Sequence, residues 1–333
     1  MSSEASVTYR GAVQLGKNVS CDSFDETRRL RVVTHAHADH MVGLRESLRK
    51  CQKVLMTAPT KDLIDVLKGP FFLMSGFVET LDYGKPVSYE QEKITIFRAD
   101  HILGAGQVLV EGSDGKRVAY TGDFRINNTP VLETDVLVME ATYGSPLCRR
   151  PFDDGVRSLL ASLVTEGLKQ GTVYVFGYHG KLQEVMEILH EAGLAAPFIA
   201  SERVFQVSKV CERHGMHTGR LLHCDGEDAR ELLGKCSPCV AFYHMNAGRD
   251  VGLGGFRVYV SGWEFDVPVR RRAENEYVVA LSDHSDFDGL MDYVQRSKPK
   301  IVVTDNFRVG HAETLAKEIR KRFGIPAFAL PKR

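Results

Sequence analysis

Apolar and polar positions alternate along the first third of the chain in short runs broken by turns. Leu30-Arg31-Val32-Val33 predicts a strand, and Met41 to Arg49 predicts a helix soon after it. Lys93 to Arg98 alternates like a half-buried strand. Gln107 to Glu111 and Arg117 to Tyr120, separated by Ser113-Asp114-Gly115, predict a hairpin. The fully apolar Val136-Leu137-Val138-Met139 predicts a buried strand that stops at Glu140. After about Phe152 the pattern changes. Gly155 to Gln170 has helical spacing, Thr172 to Phe176 reads as a strand, and Lys181 to Ala192 reads as a second helix. Strand–helix alternation of this kind predicts an α/β unit with a parallel sheet. Further strands are expected at Val258-Tyr259-Val260, Tyr277 to Leu281 and Ile301-Val302-Val303, with helices at Phe287 to Arg296 and Ala312 to Phe323.

At 333 residues the chain can form one large domain or two ordinary ones. A hydrophobic fraction of 43% and a charged fraction of 26% fit a soluble globular protein. The 43 basic and 43 acidic residues cancel, so a nucleic-acid partner cannot be read from global charge and must be held by local clusters or by metals. The N-terminus, Met1 to Val7, has no basic segment followed by an apolar run, so no signal peptide is expected. No apolar stretch reaches membrane-spanning length, and no membrane partner is expected. Seven cysteines without a secretory signal suit reduced thiols and a cytoplasmic setting, or a nuclear one in a eukaryote.

The densest chemistry lies in Thr34-His35-Ala36-His37-Ala38-Asp39-His40, directly past an apolar strand. Imidazoles and a carboxylate at this density suit zinc or a neighbouring divalent metal. Alternation sets His35 and His37 on one side, and the turn at Asp39-His40 aims those two at a second position nearby. The spacing fits two adjacent metals better than one closed structural site. The plain alternative is a polar turn of solvated histidines.

His-x-His-x-Asp-His after an apolar strand resembles the second motif of the metallo-β-lactamase fold. Asp100-His101-Ile102-Leu103-Gly104 resembles the third motif and Tyr120-Thr121-Gly122-Asp123 the fourth, in the expected order. The resemblance implies His35, His37, His101 and Asp123 as ligands of one metal, and Asp39, His40 and the shared Asp123 for another. Val138 to Gly144, around Glu140, resembles motif A of the β-CASP nucleases. Leu281-Ser282-Asp283-His284-Ser285-Asp286-Phe287 resembles motif B. Val175 to Lys181 resembles the opening of the inserted β-CASP domain, and Ser261-Gly262-Trp263 resembles the turn by which that insert returns. The similarity runs from about Tyr9 to the last helix, and is strongest to ligase-associated exonucleases and Artemis-like DNA-repair nucleases. The implied fold is a four-layer αββα core from residues 1–150 and 276–333, with an α/β insert over 151–275 and the site in a cleft between them.

Motif C departs from the family pattern. After Ile301-Val302-Val303, the RNA-processing branch carries a His and the Artemis-like branch a Val, whereas Asp305 stands here. A carboxylate can ligate, so Asp305 is expected as a further ligand. Phosphodiester hydrolysis needs a nucleophile at neutral pH and charge neutralisation, which a pair of divalent ions about 3.5–4 Å apart supplies. Zn²⁺ is the expected ion, with Mn²⁺ or Mg²⁺ as alternatives. Asp39, Glu140 and His284 are the expected catalytic group: Asp39 orients the attacking water, Glu140 holds a His in its tautomer, and His284 meets the phosphate or the leaving oxygen. Lys181 and Ser282 are read as substrate-binding, with Lys181 opening a helix where a phosphate would sit. Arg270-Arg271-Arg272 could line a channel or simply be a solvated turn. Cys236-Ser237-Pro238-Cys239 has zinc-ligand spacing but lacks a cleanly spaced partner pair.

The resulting expectation is a 5′→3′ DNA exonuclease acting in repair or processing on single-stranded or end-containing nucleic acid. An RNA-processing β-CASP ribonuclease is the alternative. A small-molecule metallohydrolase is disfavoured by the insert, and a catalytically inactive binding subunit by the intact ligand set.

Overall fold

The computed structural model describes residues 4–74 and 76–332, so Met1, Ser2 and Ser3 of the N-terminal reading lie outside the described residues. The chain divides into two compact units, one of residues 1–149 with 284–333, the other of residues 150–283.

The first unit opens with six short strands: β1 (Ala5–Val7), β2 (Val13–Leu15), β3 (Val19–Cys21), β4 (Leu30–Val32), β5 (Lys53–Met56) and β6 (Val78–Thr80), which pair in chain order. Between them lie α1 (Leu44–Lys50) and α2 (Ala58–Lys68). Thr57 caps α2 by accepting from Thr60 N, and Pro59 sits at the start of the helix, where its missing N–H costs nothing. A second sheet follows with β7 (Val87–Tyr89), β8 (Glu92–Arg98), β9 (Gly106–Gly112), β10 (Arg117–Tyr120) and β11 (Val136–Met139). The hairpin expected over Gln107 to Tyr120 is the antiparallel β9–β10 pair.

The second unit carries α3 (Asp153–Leu168), β12 (Val173–Gly177), α4 (Lys181–Glu191), β13 (Phe198–Ala200), α5 (Glu202–Arg213), β14 (Leu221–His223), α6 (Glu227–Gly234), β15 (Val240–His244), β16 (Phe256–Val260), β17 (Val269–Ala273) and β18 (Glu276–Val279). Their order in the sheet is β14-β13-β15-β12-β16-β18-β17, parallel except for the edge strand β17. In the runs Val173 to Phe176 and Val240 to Phe242 every residue but the half-buried Tyr174 is buried, as a parallel sheet between helices requires. Residues 276–283 were expected with the first unit but belong to the second, because β18 pairs between β16 and β17.

The chain then re-enters the first unit through α7 (Phe287–Ser297), β19 (Ile301–Asp305), α8 (Ala312–Phe323) and β20 (Ala327–Leu330). The second sheet of that unit runs β20-β19-β11-β10-β9-β8-β7. One core lies between the two sheets, with Val13, Leu15, Leu30, Val32 and Leu55 meeting Ile94, Ile96, Val108, Val118, Val138 and Val303. Helix α8 covers β19 and β20 and contacts α7, while α1 lies on β5. This is the αββα layering of a metallo-β-lactamase core, and the doubly wound insert is the expected α/β domain. Among the described residues no helix is long and apolar enough to cross a membrane.

Candidate metal centre

Strand β4 delivers the histidine cluster. Beyond it the chain stays extended and buried through Ala36, then closes in a 3-10 turn over Ala38–His40. Arg31, in the middle of β4, is fully buried and ties that turn down. Its guanidinium donates to Val42 O and Ser47 Oγ at 3.0 Å and to His40 O at 3.1 Å. Burial pulls its pKa down to about 10, which leaves it charged at neutral pH.

Asp22, just past β3, fixes the histidines from below. Its carboxylate is fully buried and accepts from Thr34 N at 2.8 Å and Thr34 Oγ1 at 2.7 Å, with His40 Nδ1 also at 2.7 Å. The proton of His40 therefore sits on Nδ1, and its Nε2 points the other way. Thr34 spends its one hydroxyl proton on Asp22, so it accepts from His35 Nδ1 at 3.1 Å. His35, like His40, thus presents Nε2 as the outward lone pair. A carboxylate holding the far nitrogen of an imidazole is the usual support for a metal ligand.

Three ring nitrogens converge: His37 Nδ1 lies 3.1 Å from both His35 Nε2 and His101 Nε2. Asp123 Oδ2 lies 3.7 Å from His35 Nε2 and 3.9 Å from His101 Nε2. A tetrahedral zinc with nitrogen ligands at about 2.0–2.1 Å would have ligand–ligand edges of roughly 3.3 Å, so the four atoms are spaced for one ion. All four residues' ligand atoms fall within 4.8 Å of one another. The same Asp123 Oδ2 is 3.1 Å from His40 Nε2, which lies 3.6 Å from Asp39 Oδ2. His40 Nε2 is buried and makes no hydrogen bond among the described residues, which suits a lone pair reserved for a metal.

The electrostatics follow from this packing. Burial first, and then the neighbouring imidazoles, lower the pKa of His35 and keep it in the neutral form a ligand needs. Burial also pulls on His40, but the carboxylates of Asp123, Asp22 and Asp39 outweigh it and push His40 up to about 10. Burial opposes ionisation of Asp123, yet the charge of His40, whose Nε2 lies 3.1 Å away, holds it well below the usual carboxylate range. Asp22 is lowered by the same partner against the same opposing burial. This is a pocket whose carboxylates attract a cation.

The remaining ligands are set by turns. Arg125 donates from its backbone to Asp100 O at 2.6 Å and from Nη2 to Asp100 Oδ1 at 3.1 Å, which ties the His101 loop to the loop after Asp123. Gly122 takes a left-handed φ of 56°, and a Cβ there would stand 2.8 Å from Gly106 O. Only glycine lets the chain turn there and aim Asp123 inward. Glu140, at the end of β11, is buried and accepts from Phe124 N at 2.9 Å. His284 Nδ1 lies 3.0 Å and 3.2 Å from its two oxygens. Asp123, Glu140 and His284 form a second group that could hold a metal, and the His284 ring centre is 4.8 Å from that of His101.

Other expected site residues are placed elsewhere. Asp305 joins none of the groups of potential ligands among the described residues. Its Oδ1 accepts from Phe307 N at 2.9 Å and its Oδ2 from Arg308 at 2.5 Å, so one oxygen is committed to the backbone and the other clamps Arg308. Arg308 in turn donates to Asp39 O at 3.2 Å. Burial works against the Arg308 charge, but Tyr120, Asp305, Asp22 and Asp123 hold its proton firmly. Lys181 does open α4, but its buried ammonium is spent on Asp283 at 2.7 Å rather than offered to a phosphate. Ser282 is buried beside that aspartate in sequence. Cys239 is buried near Thr172 Oγ1 and Cys236 is exposed, and no third ligand joins them among the described residues.

Sequence reasoning missed Asp22, Arg31 and Arg308. The available signal for Asp22 was an acid at the end of an apolar strand, Val19–Cys21, that pairs in parallel with β4, so that the two strand ends lie side by side.

Comparisons with known proteins bear on this centre. Residues 268–331 match the family model described as a Zn-dependent metallo-hydrolase RNA specificity domain. An uncharacterized protein in the lig 3′ region of Acidianus ambivalens is 43% identical over 138 residues, covering 41% of this chain and 99% of that protein. A probable DNA ligase of Opitutus terrae is 27% identical over 315 residues, 90% of this chain but 28% of its own length. An RNase J-like protein of Methanocaldococcus jannaschii is 29% identical over 218 residues, 55% of this chain and 50% of its own. The fold and the clustered His/Asp centre define a metal-dependent hydrolase. The chain belongs to the metallo-β-lactamase/β-CASP nuclease family.

Proposed function

We propose that this chain hydrolyses phosphodiester bonds in single-stranded or end-containing nucleic acid, using two divalent metal ions, Zn²⁺ first among them. The observation that carries the reading is the convergence of His35, His37, His101 and Asp123, with Asp123 shared by His40. One ion would be held by His35, His37, His101 and Asp123, the other by Asp39, His40 and Asp123. Bound there, such ions supply a nucleophile at neutral pH and neutralise phosphate charge.

The chain's own groups do the rest. Asp39, whose side chain is 58% exposed, is the carboxylate of the cluster that reaches solvent, and it orients the attacking water. Glu140 holds His284 by Nδ1, so His284 meets the phosphate or protonates the leaving oxygen through Nε2. Asp22 and Thr34 keep His40 and His35 in the tautomers that present Nε2.

Among nucleic acids we favour DNA, cleaved from a 5′ end. The probable DNA ligase matches 90% of this chain, and the position after β19 carries Asp305 rather than a His. RNA is the second reading, favoured by the RNA specificity model over residues 268–331 and by the RNase J-like relative. Matched 5′-phosphorylated DNA and RNA strands, digested side by side with Zn²⁺ or Mn²⁺, test both. Faster release of nucleotides from DNA is expected, faster RNA cleavage would transfer the activity to RNA, and cleavage of neither by metal-loaded protein would sink the nuclease reading.

A further inference from the structure

The second unit carries a row of aromatic side chains that the chemistry above does not use. Three neighbouring parallel strands, β15, β12 and β16, end at one edge of the sheet. At or just past their carboxyl ends stand His244, the last residue of β15, then Tyr178 and Trp263. Tyr178 is 52% exposed and Trp263 48% exposed, unusually high for rings of this size beside a packed sheet. The His244 ring meets Tyr178 edge to face, with centres 5.1 Å apart. His244 accepts from Asn246 N through Nδ1 at 3.3 Å, which fixes the ring and leaves its proton on Nε2.

The row continues with charge. Arg203, on the first turn of α5 past the end of β13, is exposed; burial first, and then the Arg203 charge, favour the neutral imidazole of His244. Arg203 makes no ion pair among the described residues. Of the acids on these segments, Glu202 is engaged by His223 at 2.5 Å and Glu264 by Arg270 at 3.0 Å. The strand ends thus carry exposed rings with polar edges and, past β13, the guanidinium of Arg203. With strands about 4.8 Å apart, the four strand ends span about 14 Å.

Topology marks the same place. From β12 the crossovers run first to β13 and β14 on one side, and the chain later returns to β16 on the other. Strand order thus reverses at β12, and in open parallel sheets ligands bind outside the carboxyl ends of the strands at such a reversal. Tyr178 follows β12 directly.

We infer that Tyr178, His244 and Trp263, with Arg203, form a stacking platform for single-stranded nucleic acid on the second unit. Exposed rings stack on bases of any sequence, and the guanidinium meets the backbone phosphate. An apolar protein partner would leave Arg203 and the His244 Nε2 proton without acceptors. The inference rests on the nucleic-acid reading above, and it names which part of the strand the second unit reads: base faces rather than sugar or sequence.

Trp263 is the chain's one tryptophan, so its emission reports this strip alone. The full chain is titrated with a hydrolysis-resistant phosphorothioate oligothymidylate, and with an abasic oligomer of the same backbone. Binding of each is followed in parallel by the anisotropy of an end label. Saturable quenching of Trp263 by the oligothymidylate and little by the abasic oligomer is expected. Tyr178→Ala and Trp263→Ala, both at exposed positions, should each weaken oligothymidylate binding by about 5- to 150-fold, the range that base–aromatic stacking commands. Arg203→Ala should weaken both oligomers and flatten the salt dependence. Lys169→Ala, before β12 at the opposite edge of the sheet, should change neither. Binding by anisotropy with Trp263 unquenched, or with parent affinity in Tyr178→Ala and Trp263→Ala, overturns the platform and leaves the nuclease reading standing. Failure of every oligonucleotide to bind overturns both.

Discussion

Replacing Asp305 by alanine separates two roles for the carboxylate after β19. The structure commits both of its oxygens, one to Phe307 N and one to Arg308. The two side chains are 1% and 8% exposed. Removing the acid leaves a buried guanidinium without its counter-charge, a loss of about 3–5 kcal/mol. For a unit of about 200 residues, each kcal/mol moves the transition by about 2–4 °C, so calorimetry should show a drop of about 6–20 °C. Metal content per chain, read by atomic emission, should stay at the parent value. Arg308 also holds Asp39 O at 3.2 Å, so activity should fall as that turn loosens, and added Zn²⁺ or Mn²⁺ should not restore it. The double change Asp305→Ala/Arg308→Met removes charge and counter-charge together and should recover most of the stability. A stable Asp305→Ala protein that has lost metal, and regains activity with excess Mn²⁺ or Zn²⁺, would show that Asp305 is a ligand and that the clamp is incidental.

Asp22→Ala should lower metal affinity by about 10–100-fold, measured by competition with a chromogenic chelator, because His40 and Thr34 lose the acceptor that orients them. Asp39→Ala should abolish hydrolysis while leaving the circular dichroism spectrum and melting temperature near the parent, since the side chain is largely exposed; near-parent turnover would exclude Asp39 from the chemistry. Arg31→Met should cost about 1–3 kcal/mol in denaturant unfolding, because the carbonyls of Val42 and His40 lose a buried donor; an unchanged midpoint would count against the staple. Stripping metal with a chelator should lower the melting temperature, by the equivalent of about 2.7 kcal/mol if free metal had stood at a hundred times its dissociation constant; no change would mean that the clustered ligands bind nothing.

Much of the fold was legible because its strands are short and clearly bounded. Val136 to Met139 and Thr172 to Phe176 read as buried strands, and the structure pairs both in parallel with neighbours on each side. The hairpin over Gln107 to Tyr120 announced itself by its turn. The end of the insert was harder: Tyr277 to Leu281 reads as a strand, but which sheet it joins depends on pairing across the chain, which local periodicity does not encode. In the centre, His35, His37, Asp39 and His40 stood out by density, whereas His101 and Asp123 gained meaning only from their order along the chain. Asp22 and Arg31 were invisible because a single acid or a single arginine beside an apolar strand looks the same whether it is solvated or buried. Asp305 was misplaced for a related reason. Its partner Arg308 lies three residues on, at the distance of an ordinary turn pair, and burial of that pair is a tertiary fact.

The charges explain why this arrangement suits metals and a phosphodiester together. Asp22, Asp39, Asp123, Glu140 and Asp305 gather five carboxylates around the centre, against the two guanidinium groups of Arg31 and Arg308. Asp305 and Arg308 cancel each other, and Arg31 lies under the turn that carries Asp39. That leaves an excess of three negative charges with the histidines neutral. Asp39 reaches solvent, but the rest of that excess is buried and draws in cations, of which a proton on His40 is one. Two divalent ions would turn the excess into a single positive charge, which is the charge a phosphodiester neutralises. The residues that would hold the metals are in this way compatible with the anionic substrate proposed above.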